Sequence, residues 1–199
     1  MTDKVMRICP LLLAGGHSSR MGRDKAQVEI SGGQTLLARA EKLLRDLPSR
    51  AGLQFMSPRI SGDRPGGIRD LVPGRGPLGG LHSVVEYLYE NNIACDALLA
   101  IPVDMPNLQR QQLQSLCAAG HSGGDSALCF GHCYLPLWLR LDNHSRTYLR
   151  ACVGGVEDSS VGAMLRALNG RQLEMPPGDW HHNLNCPQAL YRYHQSLCR

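Results

Sequence analysis

The chain has 199 residues, long enough to bury a substantial hydrophobic core without disulfide crosslinks. Its formal net charge of +4 favours small anionic ligands, but with no Lys/Arg-rich tract it is too weak to indicate nucleic-acid binding. No apolar stretch is long enough to span a membrane, and eight cysteines without a Cys-x-x-Cys pair favour reduced thiols in a cytoplasmic protein.

Strand-like and helix-like segments alternate along the sequence, beginning with an apolar run that ends at Ala14. Such alternation predicts a single α/β domain, a Rossmann-like three-layer sandwich with a mostly parallel sheet between helices. No internal repeat or linker divides the chain. After the first strand we predict strands over 53–57, 68–72, 97–103, 126–130 and 134–140, and helices over 34–47, 77–90, 108–118, 143–152, 160–169 and 187–197.

The loop after the first predicted strand combines glycines with fixed positive charge. Gly15 and Gly16 allow backbone N–H groups to approach a ligand with no Cβ in the way. Arg20 and Lys25 bring cations to the same place, as a polyphosphate requires. An ordinary surface loop would explain the glycines alone, but the spaced Arg and Lys favour a phosphate site.

Two aspartates are predicted to share the crevice of this loop, because ligands of open α/β sheets bind beyond the carboxyl ends of the strands. Asp70 lies at the end of the predicted strand 68–72, and Asp104 directly follows the strand 97–103. A carboxylate opposite a phosphate loop suits the Mg²⁺ of a nucleoside triphosphate. The alternative for Asp104 is capping of the helix that follows.

One further cluster, Cys129, His132 and Cys133, has the donor atoms of a zinc site. A structural zinc usually needs four ligands, and no fourth lies at a recognisable spacing. Incidental neighbours in a cysteine-rich chain are the favoured explanation, and the sequence leaves metal binding here open.

The segment from Leu13 to Lys25 contains every fixed position of the pattern L-A-G-G-x-S-x-R-M-G-x-D-K. It resembles the signature of the molybdenum cofactor guanylyltransferases, the MobA family of nucleotidyltransferases. The resemblance extends to about residue 190 and implies the nucleotide-diphospho-sugar transferase type of fold. It further implies a nucleotide-binding part over about 7–118 and a molybdopterin-binding part over about 119–199.

The same resemblance implies a set of site residues. Asp70 with the Gly-Pro-Leu-Gly-Gly segment resembles the family's guanine and ribose site, and Asp104 resembles its metal motif. Asn183 and Asn185 resemble an N-x-N element on the molybdopterin side of the cleft. The implied nucleotide-binding residues are Leu13, Ala14, Gly15, Gly16, Lys25, Asp70, Gly76, Pro77, Leu78 and Asp104, with Arg20, Lys25 and Asp104 as catalytic residues.

The resemblance implies transfer of GMP from GTP to molybdopterin, with Mg²⁺ or Mn²⁺, in a cytoplasmic monomer. Upstream cofactor-synthesis proteins and acceptor molybdoenzymes are the implied protein partners. Two alternatives remain: a cytidylyl- or sugar-phosphate nucleotidyltransferase, and a carrier of finished molybdenum cofactor without catalysis. Cys186 departs from the family's usual Thr, and the segment 54–59 lacks the Asn that commonly touches the nucleotide, so base and pterin recognition stay open.

Overall fold

A seven-stranded β-sheet organises the residues that the computed structural model describes, which are 5–15, 24–50 and 52–197. The sheet order is β4-β1-β6-β8-β7-β9, with β5 pairing to β1 beyond β4, while β2 and β3 form a separate hairpin. All strands of the sheet run in one direction except β8, which is antiparallel to both of its neighbours. The strands are β1 (Met6–Leu13), β2 (Glu29–Ser31), β3 (Gln34–Thr35), β4 (Leu53–Phe55), β5 (Arg59–Ser61), β6 (Ala97–Pro102), β7 (Ala127–Phe130), β8 (Cys133–Arg140) and β9 (Arg171–Leu173).

Helices cover both faces of the sheet, because the central strands are apolar on both sides. In β1, Cys9 and Leu11 pack with the helices of one face, and Ile8 and Leu12 pack with those of the other. No helix among the described residues is both long and apolar enough to cross a membrane. The helices are α1 (Leu36–Arg45) and α3 (Arg110–Ser122) on one face, α2 (Gly76–Glu90), α4 (Asn143–Val153) and α5 (Val161–Ala167) on the other, and α6 (Pro187–Leu197) against the β2 hairpin.

The predicted three-layer α/β sandwich is confirmed, and most helices differ from their predicted bounds only at the ends. Helix α1 begins at Leu36, two residues later than predicted. Gln34 and Thr35 pair with β2, and the Thr35 hydroxyl accepts a hydrogen bond from the Ala38 N–H as the N-cap.

The predicted strand over 68–72 is wrong. Only Ile68 pairs with the sheet, through an isolated bridge to Ser61, and the strand at this edge is the earlier segment β5. A tight glycine turn at 62–67 brings the chain back beside β5. After Ile68 the chain leaves the sheet again. Leu71, which completed the apolar pattern, is exposed.

The second half of the sheet was predicted in part. The strands over 126–130 and 134–140 are confirmed as β7 and β8, but β9 was missed because it is short and its Arg171 and Gln172 are exposed. An edge strand needs only one neighbour, so it carries little of the apolar signal that marks a buried strand.

Candidate active site

Lys25 and Asp104 form an ion pair at the carboxyl ends of the central strands. The Lys25 Nζ lies 3.2 Å from Asp104 Oδ2, and both side chains are largely buried. Lys25 begins a single 3₁₀ turn that is capped by Asp24, whose carboxylate accepts from the Ala26 N–H. Asp104 follows β6, at the point where the Val103 N–H donates to the carbonyl of the last β1 residue. The crevice predicted from the strand ends therefore exists, and it joins these two residues.

The two predicted acceptor-binding asparagines reach the same ion pair. Asn183 Nδ2 donates to Asp104 Oδ1 at 3.2 Å, and Lys25 Nζ donates to Asn185 Oδ1 at 2.5 Å. Between them, Leu184 points into the core, and its N–H donates to the Asp104 carbonyl. Both asparagine side chains reach one cluster, but the expected extended segment is wrong, because the Asn185 N–H donates to the Asn183 carbonyl at 3.1 Å and closes a turn. Their amides contact Asp104 and Lys25, the residues predicted to bind metal and phosphate, which the sequence did not indicate.

Asp70 lies between two glycines on the other side of the crevice. A Cβ placed on Gly15 would lie 3.7 Å from Asp70 Oδ2, and so would one placed on Gly79. Burial raises the pKa of the Asp70 carboxyl, and its Oδ1 is buried with no hydrogen-bond partner among the described residues. A buried, unpartnered acceptor is suited to a ligand hydroxyl or N–H.

The first turn of α2 borders this acceptor. Gly76 has a φ of +56°, which favours glycine, and Pro77 occupies a first-turn position where its missing N–H costs nothing. Leu78 was predicted to contact the nucleotide, but its side chain is wholly buried in the core. Because the whole residue is 0% exposed, the Leu78 backbone is buried as well, and neither part of Leu78 faces the crevice.

At the end of β1, the Ala14 N–H does not have its predicted role as a phosphate donor. The Ala14 N–H was expected among the donors that surround a phosphate, but it donates to the Ser61 carbonyl and continues the β1–β5 pairing. The Leu13 side chain packs toward Gly80 and the core. Gly16 and Arg20 lie outside the described residues.

Asp104 is suited to a nucleotide-bound divalent cation, which needs only one or two carboxylates in addition to phosphate oxygens and water. Among the described residues, no group of three or more His, Cys, Asp and Glu side chains is placed to hold a metal ion. Cys129 has a pKa raised to about 11, chiefly by burial and further by neighbouring Cys133, so it is a protonated thiol near neutral pH.

Two residues near the loop were missed by the sequence analysis, Gly62 and Arg64. Gly62 has a φ of +121°, and a Cβ on it would lie 2.9 Å from the Gly15 nitrogen. Arg64 donates to the Ala14 carbonyl and pairs with Asp24. The glycine- and proline-rich composition of 62–67 indicates a turn, but nothing in it shows which loop the turn contacts.

Comparison with known proteins decides the family. Residues 10–171 match the MobA-like NTP transferase domain. The chain belongs to this family. The MobA-like chain is 36% identical over 179 residues to the molybdenum cofactor guanylyltransferase of Xanthomonas euvesicatoria pv. vesicatoria, covering 88% of this chain and 87% of that protein. It is 29% identical to the protein of the same name from Rhizobium meliloti, covering 90% and 87%. The family predicted from the glycine loop is thus confirmed.

Solved structures share the fold of the MobA-like chain. Molybdopterin-guanine dinucleotide biosynthesis protein A from Archaeoglobus fulgidus superposes with a TM-score of 0.70 at 19% identity, covering 97% of this chain and 99% of that one. The 2-C-methyl-D-erythritol 4-phosphate cytidylyltransferase of Thermus thermophilus superposes with a TM-score of 0.64 at 16% identity, covering 98% and 100%. At these identities the likeness establishes the nucleotidyltransferase fold.

Proposed function

We propose that this chain is a molybdenum cofactor guanylyltransferase, which transfers GMP from GTP to the terminal phosphate of molybdopterin and releases pyrophosphate. The observation that carries the proposal is the convergence of Lys25, Asp104, Asn183 and Asn185 in one hydrogen-bonded cluster at the strand ends. Its family membership and its relatives' names support the same reaction.

The nucleoside is assigned to the side of the crevice that holds Asp70. The unpartnered Asp70 Oδ1 would accept from a ribose hydroxyl or from a guanine N–H. Gly15 and Gly79 leave room beside this carboxylate, and the exposed first turn at Gly76 and Pro77 borders it.

The phosphates are assigned to the loop side, with Lys25 and Arg20 as cations and the backbone of Gly15 as a close contact. An oxygen of the acceptor phosphate attacks the α-phosphorus of GTP, a new P–O bond forms, and the bond to the β-phosphate oxygen breaks. The acceptor is already anionic, so no protein nucleophile or general base is needed. Catalysis then depends on positioning and on charge stabilisation of the pyrophosphate that leaves, which is the role of the Lys25 ammonium.

Asp104 is the residue that would hold Mg²⁺, or Mn²⁺ in its place. When bound, the cation supplies charge neutralisation on the nucleotide phosphates. Asn183 orients the carboxylate through its hydrogen bond to Oδ1, and the Lys25 ammonium lies on the other oxygen.

Asn183 and Asn185 are assigned to the acceptor side, where amide groups match the donor and acceptor edge of a pterin. The nucleotide part over about 7–118 and the acceptor part over about 119–199 would thus meet at this cluster.

We assign the activity to a cytoplasmic monomer that receives molybdopterin from upstream synthesis proteins and delivers its product to acceptor molybdoenzymes. The described residues contain seven cysteines, and all seven are free, as suits a reducing compartment.

The test is turnover of purified protein with molybdopterin, Mg²⁺ and each of GTP, CTP, ATP and UTP in turn. We expect pyrophosphate release with GTP at least tenfold faster than with the other three. A preference for CTP would instead make the chain a cytidylyltransferase. Tight binding of molybdenum cofactor without turnover of any nucleotide would make it a carrier.

A further inference from the structure

Arg64 lies at the tip of a tight turn whose backbone is fixed by hydrogen bonds. The Arg64 N–H donates to the Gly62 carbonyl at 3.0 Å, and the Gly67 N–H donates to the Arg64 carbonyl at 2.9 Å. A Cβ on Gly67 would lie 2.4 Å from the Gly62 oxygen, so the turn can close only with glycine there. The base of the Arg64 side chain is therefore held in one place.

The guanidinium of Arg64 contacts Ala14 and Asp24, which flank Gly15 and the segment 16–23 on its two sides. Its Nη2 donates to the Ala14 carbonyl at 2.5 Å, just before this segment. Nη1 and Nη2 each lie 3.4 Å from a carboxylate oxygen of Asp24, just after it. A planar fork with several donors can make both contacts at once, which a lysine ammonium cannot do in the same geometry.

Each contact leads directly to a residue of the phosphate site. Ala14 is followed by Gly15, whose backbone is assigned a close contact with the phosphates. Asp24 caps the 3₁₀ turn by accepting a hydrogen bond from the Ala26 N–H. Lys25, between Asp24 and Ala26 in the sequence, forms the ion pair with Asp104. Fixing Ala14 and Asp24 to one guanidinium therefore fixes the relative position of the glycine backbone and the lysine ammonium.

The burial of Arg64 is hard to explain by fold stability alone. Its side chain is only 12% exposed, and its Nε is buried with no hydrogen-bond partner among the described residues. Removing a cation from water costs free energy unless it is well paired, and its partner Asp24 is half exposed. In this position the guanidinium connects Ala14 to Asp24, although it loses most of its hydration.

We propose that Arg64 is a positioning residue of the phosphate site, which holds Gly15 and Lys25 in register for the triphosphate. This inference rests on the proposed function, since it assigns Arg64 to the same nucleotide site. Arg64 acts through Ala14 and Asp24, and no contact with substrate is assigned to it.

The test compares Arg64→Gln with Arg69→Gln, a matched control close along the chain. Arg69 is 77% exposed and pairs with the exposed Asp63, and it makes none of the Arg64 contacts with Ala14 and Asp24. Binding of Mg²⁺-GTP is measured by calorimetry well below the melting temperature of each variant. We expect Arg64→Gln to weaken GTP binding at least tenfold and to lower kcat by a further tenfold, with Arg69→Gln within twofold of wild type.

A double-mutant cycle separates positioning from a general structural effect. Asp24→Asn keeps the capping oxygen but removes the charge. If Arg64 acts through Asp24, the double variant binds GTP within twofold of Arg64→Gln alone, whereas independent effects would multiply. In a Lys25→Ala background, Arg64→Gln should lose most of its effect on kcat. A purely structural role would lower Tm and leave these couplings absent.

The outcomes that overturn the inference are distinct from failure of the proposed function. Wild type that binds GTP, together with an Arg64→Gln variant that binds equally well, overturns the role of Arg64 alone. Wild type that binds no nucleotide overturns the proposed function and this inference with it. Should Arg64→Gln fail to fold, Arg64→Lys replaces it with at least a threefold weakening expected, and GTP binding equal to wild type overturns the inference.

Discussion

Asn183 and Asp104 lie 79 positions apart in the sequence, yet the Asn183 amide donates to a carboxylate oxygen of Asp104 at 3.2 Å. This contact joins the segment before the last helix to the turn after β6. Hydrogen bonds of this kind orient a metal-binding carboxylate, and their loss typically weakens metal affinity or activity by about 10–100-fold. The asparagine pair therefore contacts the two residues to which we assign metal and phosphate binding, in addition to its proposed role on the acceptor side.

Asn183→Ala is expected to raise the Mg²⁺ concentration needed for half-maximal GTP binding about tenfold, in the absence of molybdopterin. The measurement is a Mg²⁺ titration of GTP binding. Asn143→Ala, at the exposed start of α4, serves as control and should not differ from wild type. If the Mg²⁺ dependence is unchanged and only molybdopterin binding weakens, Asn183 acts on the acceptor alone.

Asp104→Asn should reduce turnover at least 100-fold while the Tm changes by only a few degrees. The substitution removes a charge in the crevice and creates no cavity in the core. Asp179→Asn, at a highly exposed carboxylate, is the matched control and should keep full activity. Asp104→Asn retaining a tenth of wild-type turnover at saturating Mg²⁺ would contradict the metal-binding role.

Lys25→Ala should lower kcat about 100-fold and raise KM for GTP by less than tenfold. The ammonium is most useful when negative charge builds on the pyrophosphate that leaves. Steady-state kinetics against Lys42→Ala, an exposed lysine of α1, checks the expectation. A variant in which only KM changes would make Lys25 a binding residue without a role in the chemical step.

Acid stability should depend on Glu86, a buried carboxylate of α2 that bridges Arg146 and Arg150 of α4. Hydrogen bonds from these arginines, chiefly Arg146, lower the pKa of Glu86 from 4.5 to about 2. Because the folded pKa lies below the unfolded one, this stabilisation is fully present above pH 4.5 and is lost as the pH falls toward 2. The shift corresponds to about 3 kcal/mol.

The measurement is the free energy of unfolding of wild type and Glu86→Gln between pH 7 and pH 2. We expect the variant to be about 3 kcal/mol less stable at pH 7, and the difference to shrink below pH 4.5. Burial lowers the pKa of the neighbouring His82 and the Glu86 charge raises it, so both proteins lose stability below about pH 6.5 to different extents, and the Glu86 titration is measured by the change below pH 4.5. Glu90→Gln, exposed on the same helix, should behave as wild type. A difference independent of pH would contradict the ion-pair explanation.

Gly120→Ala should destabilise the fold by about 1–3 kcal/mol through overpacking. A Cβ at this position of α3 would lie 2.4 Å from the ring of Trp138, which is wholly buried in β8. Alanine is the better helix former, so a destabilisation shows that the contact with Trp138 outweighs helix propensity. Gly124→Ala, with open space around it, is the control in denaturant unfolding. Equal stability of both variants would mean that the indole ring can move away.

The sequence by itself determined the fold class and the crevice in which Lys25 meets Asp104. Buried strands are recognisable in the sequence as apolar runs. A strand followed by glycines, Arg and Lys predicts a phosphate loop from local chemistry alone. Because strand ends share an edge, Asp104 could be placed beside that loop before any coordinates. The sequence also paired Asn183 with Asn185, although a turn and not strand-like alternation brings both side chains to the Lys25–Asp104 pair.

Only the tertiary structure decided what these residues contact. The strand β5 was missed because a three-residue strand with an arginine at its start has too little apolar pattern to be seen. Arg64 is one of several arginines in polar surroundings, and only the folded turn at 62–67 brings it against Ala14 and Asp24. The meeting of Asn183 with Asp104 depends likewise on how Leu184 and α6 pack against the β2 hairpin. Contacts between distant segments arise from packing of the whole chain, and no local pattern encodes them.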